Sequence, residues 1–320
     1  MRPGRIDTHH HFFPPAYLKR KQDQVIAMAP SHAARVNEWT LSRAIEAMDE
    51  AGIATAVASI APPGVWFGDA REAAELAREC NEFAAAMAAR HNGRFGVFAS
   101  VSFADVDSTL REIEYALDVL RADGIGLMTN YDTIWPGDPR FAPIFDELNR
   151  RGAVVYFHPT AAACCSGLIP GLAPATLEFP FDTTRAIASL MVGGVLARCP
   201  KIQFIFSHGG GTIPMVAARL AASMERSHKE LCERMPGGPF GALRRLYYDL
   251  VNATQPMSFH AVREMAGVTQ LLHGTDYPYW STGVTAAGLA KLGLAADDIE
   301  AIERGNALRL MPGLTARAEP

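Results

Sequence analysis

Ile6-Asp7-Thr8-His9-His10-His11, followed by Phe12-Phe13-Pro14-Pro15, is the stretch on which the fold turns. It reads as a short strand running over residues 5–11 and stopped by the prolines, which cannot continue a sheet ladder. Side chains alternate between the two faces of a strand, so His9 and His11 project the same way, about 7 Å apart along the backbone. Two imidazoles at that spacing can grip one ion. His10 faces the opposite way, where packing or hydrogen bonding outside such a site is expected.

Beyond this strand the chain alternates helical and strand patterns to its end, the signature of a parallel sheet. Further strands are expected at 55–60, 95–102, 124–129, 153–158, 202–208, 246–251 and 270–275. Helices are expected at 41–51, 71–90, 108–122, 141–151, 183–198, 213–230 and 258–266. The helix at 41–51 is marked by Leu41, Ala44, Ile45 and Met48 at helical spacing, with Gly52 placed to cap it. Eight strands with intervening helices predict a (β/α)₈ TIM-type barrel with loop insertions, residues 1–320 forming one domain. A doubly wound sheet is the alternative. It lacks the glycine-rich fingerprint of a dinucleotide fold and any phosphate loop, and Gly209-Gly210-Gly211 alone is a weak anion-site signal.

Two segments, 12–40 and 160–181, exceed what barrel connections need and are expected to act as lids or subunit contacts. The tail 315–320 is expected to be loose.

The chain of 320 residues is 49% hydrophobic and 20% charged, the composition of a globular protein with a sizeable core. Its net charge of -4 gives no field to attract a nucleic-acid backbone, so no nucleic-acid partner is expected. No apolar run reaches membrane length and no signal-peptide core follows Arg2 and Arg5, which predicts a cytoplasmic protein without membrane contact. The five cysteines are an odd set without C-x-x-C spacing and read as reduced thiols, the adjacent Cys164-Cys165 included.

The chemistry is carried by strand ends. His158 closes Val154-Val155-Tyr156-Phe157, His208 closes the strand at 202–208, and Asp276 follows His273-Gly274-Thr275. One histidine at a strand end is more often structural than a ligand. Five ligand-type groups at the C-terminal ends of four strands would meet at one mouth, the face on which barrel enzymes build active sites. Imidazoles with a carboxylate suit zinc and, with more open oxygen coordination, manganese or iron. The set His9, His11, His158 and Asp276 leaves a position open for water or substrate, as catalytic sites do. His273 can be a strand residue or part of the site wall. His32, His91, His228 and His260 lie in loop or helix contexts, where surface or capping roles are the default.

These motifs, Asp7-Thr8-His9-His10-His11, Tyr156-Phe157-His158-Pro159, Ser207-His208-Gly209-Gly210-Gly211 and Gly274-Thr275-Asp276-Tyr277-Pro278, resemble the amidohydrolase superfamily in its decarboxylase-like branch. That branch includes 2-amino-3-carboxymuconate-6-semialdehyde decarboxylase and hydroxybenzoate decarboxylases. Leu127 to Tyr131, Gly137 to Phe141 and Glu147 to Arg151 are most similar to the 6-methylsalicylate decarboxylase type. The resemblance implies one divalent metal, zinc or else manganese, on His9, His11, His158 and Asp276. Where binuclear members of the superfamily carry a bridging lysine, this chain has Leu127-Met128-Thr129. It also implies His208 as an unligated acid or base.

The implied reaction is non-oxidative decarboxylation of a small aromatic acid with an ortho hydroxyl. Carboxylate and phenolate approach the metal, and Asp276 or His208 donates a proton to the ring carbon. The same site could instead hydrolyse a lactone, amide or C–C bond with a metal-activated water, or a barrel of this kind could bind a ligand without catalysis. Related decarboxylases pair as dimers. The apolar Leu168, Ile169, Leu172, Leu177 and Phe179 in the segment 160–181 are consistent with a homodimer contact, and Arg185 or Arg219 is the expected arginine to cross to the neighbouring site.

Overall fold

The computed structural model describes residues 4–103, 105–165 and 167–314. Eight parallel strands stand side by side in sequence order: β1 (Arg5–Phe12), β2 (Ile53–Ile60), β3 (Phe95–Ser100), β4 (Gly124–Met128), β5 (Val154–His158), β6 (Gln203–Phe206), β7 (Tyr247–Asp249) and β8 (Leu271–Leu272). A doubly wound sheet would reverse strand order at a switch point, and this one does not. The stretch after β8 closes the ring onto β1: the Thr8 amide donates to the His273 carbonyl at 2.9 Å and the His11 amide to that of Tyr277 at 2.8 Å. The architecture is a (β/α)₈ barrel. The tail 315–320 lies outside the described residues.

The barrel interior is filled by Ile6, Val57, Phe98, Tyr156, Ile205 and Leu272, packed against Leu310 and Leu314 from the C-terminal end of the chain. Large side chains from alternate strands fill such a barrel, leaving a packed core below a usable mouth. β1 departs from simple alternation. Asp7 pairs with Ala56 but His10 pairs with Ala58, so three steps on β1 match two on β2. This bulge resets the phase of the strand. It lets Ile6 pack inside the barrel while His9 and His11 also face inward, an outcome strict alternation forbids because six and nine differ in parity.

The observed strands end short of several expected ones. At β6, β7 and β8 the chain leaves the ladder before His208, Val251 and Thr275, because those residues form the turns that carry the site. The first long segment is largely helical, contrary to its reading as a loop, whereas the second is helical only from Pro174 onward. Residues 12–40 contain helices Pro15–Met28 and Ala33–Asn37 joined by a 3₁₀ turn at Pro30–His32. The buried stripe of the first is Tyr17, Lys21 and Val25, and the lysine in its middle hides the pattern. Lys21 is accommodated by Glu72 at 2.7 Å and by the Phe67 ring at 4.3 Å. Helix Pro174–Val192 begins nine residues before the expected 183, carrying Pro180 inside it. Proline normally marks a helix boundary, so Pro180 masks the true start of this helix in the sequence. After β8, helices Val284–Leu289, Ala296–Glu300 and Asn306–Leu310 add elements the sequence did not announce.

All five cysteines are free, with Cys164 exposed. No helix among the described residues is long and apolar enough to cross a membrane.

Candidate metal centre and its cavity

Four side chains from β1, β5 and the turn after β8 meet at the C-terminal mouth. His9, His11, His158 and Asp276 are all buried, and each offers one ligand atom, all of them within 4.8 Å of one another. His9 Nε2 lies 3.2 Å from His11 Nε2, and Asp276 Oδ1 lies 3.3 Å and 3.1 Å from the two. The remaining nitrogens are occupied elsewhere. His9 Nδ1 is 2.9 Å from Asp249 Oδ2, His11 Nδ1 is 3.3 Å from the Ser59 carbonyl, and His158 Nδ1 is 2.8 Å from the Pro159 carbonyl. When each Nδ1 donates its proton outward, each Nε2 keeps its lone pair directed at the centre, as outer partners of metal-bound histidines do.

His158 Nε2 and Asp276 Oδ1 are buried without a hydrogen-bond partner. Buried polar atoms are normally paired. Their convergence with two more imidazole nitrogens fits a divalent cation as the missing partner. The charge pattern agrees. Burial works to lower the His9 pKa, but the Asp249 and Asp276 carboxylates outweigh it and lift it to about 10. Burial alone would raise Asp276, yet His9, His11 and His208 hold it well below the usual carboxylate range. His158 is pushed well below the ordinary histidine value by burial and then by His11 and His9. The carboxylates therefore favour a positive charge beside His9 while His11 and His158 are held neutral, and a bound cation would take the place of the His9 proton.

His208 sits beside this cluster. Its Nε2 is 3.5 Å from Asp276 Oδ2, the oxygen that faces away from His9 and His11, and its Nδ1 has no partner. Two of the site residues have left-handed backbones, His208 at φ 55° and Asp276 at φ 59°. Such angles are costly for residues with a Cβ and cluster at functional sites. Gly211 turns the chain away from His208, and a Cβ there would come within 2.1 Å of the Pro180 carbonyl. With Gly209 and Gly210 buried beside it, the glycine run is a close-packing turn.

Asp249, at the end of β7, was not singled out in the sequence although it closes its strand as His158 closes β5. One oxygen meets His9 Nδ1, and the other accepts the backbone N–H of His208 at 3.0 Å. The signal was available in Tyr247-Tyr248-Asp249. His10 faces outward, stacked on Tyr277 at 4.8 Å, with Nδ1 2.9 Å from Asp7 Oδ2. His273 is fully buried as the continuation of β8, on the side of Asp7 and away from the cavity. At the end of β4, where a bridging lysine would stand, Thr129 and Asn130 donate to the buried Asp182, as does Trp135. Asp182 belongs to helix Pro174–Val192, so this knot straps that helix over the mouth.

The cavity above the centre measures about 480 Å³. Its floor includes His158, His208 and Asp276, and its walls include Phe179, Tyr279 and Trp280. His32 also lines it, brought in by the 3₁₀ turn of the insert, which corrects its reading as a surface or capping residue. His91 and His228 close helices, and His260 is exposed on helix Pro256–Ala266. Arg185 lies 3.6 Å from Asp182 of its own helix, and Arg219 is exposed on helix Ile213–Ser227; neither lines the cavity.

The amidohydrolase family model matches residues 6–312. The 6-methylsalicylic acid decarboxylase of Penicillium expansum is 35% identical over 286 residues, covering 86% of this chain and 85% of that protein. The 5-carboxyvanillate decarboxylase of Sphingomonas paucimobilis has the same fold, with a TM-score of 0.86 at 21% identity over 97% of this chain and 99% of that one. A dihydroxybenzoic acid decarboxylase from a Polaromonas species, solved with manganese and the inhibitor 2-nitroresorcinol, gives 0.82 at 21% identity over 97% of each chain.

Proposed function

The chain belongs to the amidohydrolase family, and on that footing we propose that it is a metal-dependent carboxy-lyase removing CO₂ from an aromatic acid with an ortho hydroxyl, of the 6-methylsalicylate type. The observation that carries this reading is the convergence of three imidazoles and Asp276 beneath a cavity walled by Phe179, Tyr279 and Trp280. The donor set, nitrogen-rich with one carboxylate, favours zinc. Manganese is the other ion to test for, since the Polaromonas decarboxylase was solved with it. A cation on His9, His11, His158 and Asp276 supplies Lewis-acid attraction for the carboxylate and phenolate oxygens.

The protein's own groups then do three things. The aromatic walls fix the ring and exclude water from the reacting carbon. His208, next to the free oxygen of Asp276, holds a proton at Nε2 and delivers it to the ring carbon bearing the carboxylate. That proton replaces CO₂: the C–C bond breaks, its electrons return to the ring, and the phenol leaves with one hydrogen where the carboxylate stood. Asp276, held ionised, orients His208 Nε2 through Oδ2, and His208 takes its next proton from solvent at the cavity mouth.

Incubation of metal-loaded protein with 6-methylsalicylate should release CO₂ in equal amount to the acid consumed. Release of acid from lactones or esters without CO₂ from ring acids would replace this reading with hydrolysis. Exposed Leu168, Ile169, Phe181, Met215 and Met257 support a homodimer as the working form.

A further inference from the structure

The cavity has a polar edge that the metal centre does not use. Tyr279 is 6% exposed and lines the cavity, yet its hydroxyl has no hydrogen-bond partner. Its ring stands edge-on to His11, with centroids 5.7 Å apart, and edge-on to His32 on the other side at 5.9 Å. Tyr279 and His32 thus form one wall of the cavity, with Tyr279 also in edge contact with His11 of the metal centre. His32 Nδ1 is 3.1 Å from the Ser31 hydroxyl, which pins the ring, and its other flank meets Trp280 at 6.0 Å.

The same wall is notable for its charge. None of the described residues lining the cavity is lysine or arginine. Arg35 donates to the Pro278 carbonyl at 3.3 Å and does not line it. Burial and the charge of Arg35 lower the His32 pKa, with Asp276 pulling the other way, which favours the neutral imidazole. A neutral imidazole and a phenol can pair with a hydroxyl group but cannot neutralise a carboxylate. Burying a carboxylate without a counter-charge is strongly unfavourable.

We propose that Tyr279 and His32 are the specificity-determining residues of this pocket, selecting hydroxylated aromatic monoacids and rejecting acids with a second carboxylate. Tyr279 donates to the ring hydroxyl oxygen near the metal centre, and His32 bounds the far edge of the ring. The inference rests on the carboxy-lyase reading and sharpens its substrate class.

Calorimetric titration of zinc-loaded protein tests it, with benzoate, 2-hydroxybenzoate and 2-hydroxyisophthalate as probes. The wild type should bind 2-hydroxybenzoate at least about tenfold more tightly than the diacid, and Tyr279→Phe should cost about tenfold for 2-hydroxybenzoate but under about threefold for benzoate. His32→Arg should raise affinity for the diacid about tenfold or more while leaving the metal content unchanged. Equal wild-type affinity for monoacid and diacid overturns the proposal, as does a Tyr279→Phe variant that loses nothing for the hydroxylated probe. A His32→Arg variant that keeps its metal and binds 2-hydroxybenzoate without gaining the diacid overturns the part played by His32. If the wild type binds no aromatic acid, the carboxy-lyase reading falls and takes this one with it, whereas binding without the expected discrimination defeats this inference alone.

Discussion

Asp249 holds both halves of the candidate site: its Oδ2 lies 2.9 Å from His9 Nδ1, and its Oδ1 accepts the His208 backbone N–H at 3.0 Å. A single buried carboxylate therefore orients a metal ligand and anchors the proposed proton donor. Asp249→Asn keeps the shape but weakens the hold on His9, and outer partners of this kind are worth about 10- to 100-fold in metal affinity. Competition with a chromophoric chelator should show that loss with all four ligands intact. Unchanged affinity would mean that packing alone orients His9.

Elemental analysis of protein purified in the presence of zinc should find close to one divalent metal per chain. His158→Ala should lose both metal and turnover, because three donors bind far more weakly than four. Two metals per chain, or full activity after exhaustive chelation, would contradict the site described.

His208→Ala should retain its metal and lose turnover by about 10²-fold or more, the scale of general acid catalysis. Loss of the metal together with activity would place His208 among the ligands. The backbone adds a second readout. At φ 55° a glycine is unstrained, so His208→Gly should be about 1 kcal/mol more stable than His208→Ala in denaturant titration.

Away from the site, Glu147 is held down to about 2 by hydrogen bonds from Arg150 and then Arg151, outweighing the effect of partial burial. A carboxylate depressed in the folded state adds stability that is complete above its ordinary value of 4.5 and is lost as pH falls from there toward 2. The difference in melting temperature between wild type and Glu147→Gln should therefore be largest near neutrality and shrink below pH 4.5. A difference independent of pH would assign the effect to packing.

Light scattering coupled to size exclusion should find a homodimer at micromolar concentration. A fully active monomer would refute it. The exposed Leu168 and Ile169 are the side chains whose replacement by Ser should weaken the pair first.

The sequence by itself determined the barrel and the positions of His9, His11, His158, His208 and Asp276, since period-two alternation and strand ends are local patterns. It did not determine how β1 carries both Ile6 and the two histidines inward, because a bulge is a relation between two strands and only the register with β2 reveals it. Helix Pro15–Met28 was hidden by Lys21, which reads as solvent-facing until Glu72 and Phe67 arrive from elsewhere in the chain. His32 carried no local mark, and Asp249, although it ends a strand pattern, shows its role only through its partners. Asp249 acquires meaning from His9, 240 residues away, and His32 from Tyr279 and Trp280 across the mouth. Local sequence fixes what a residue can do chemically, whereas its partners are set by tertiary packing, which brings together groups with no relation in the chain.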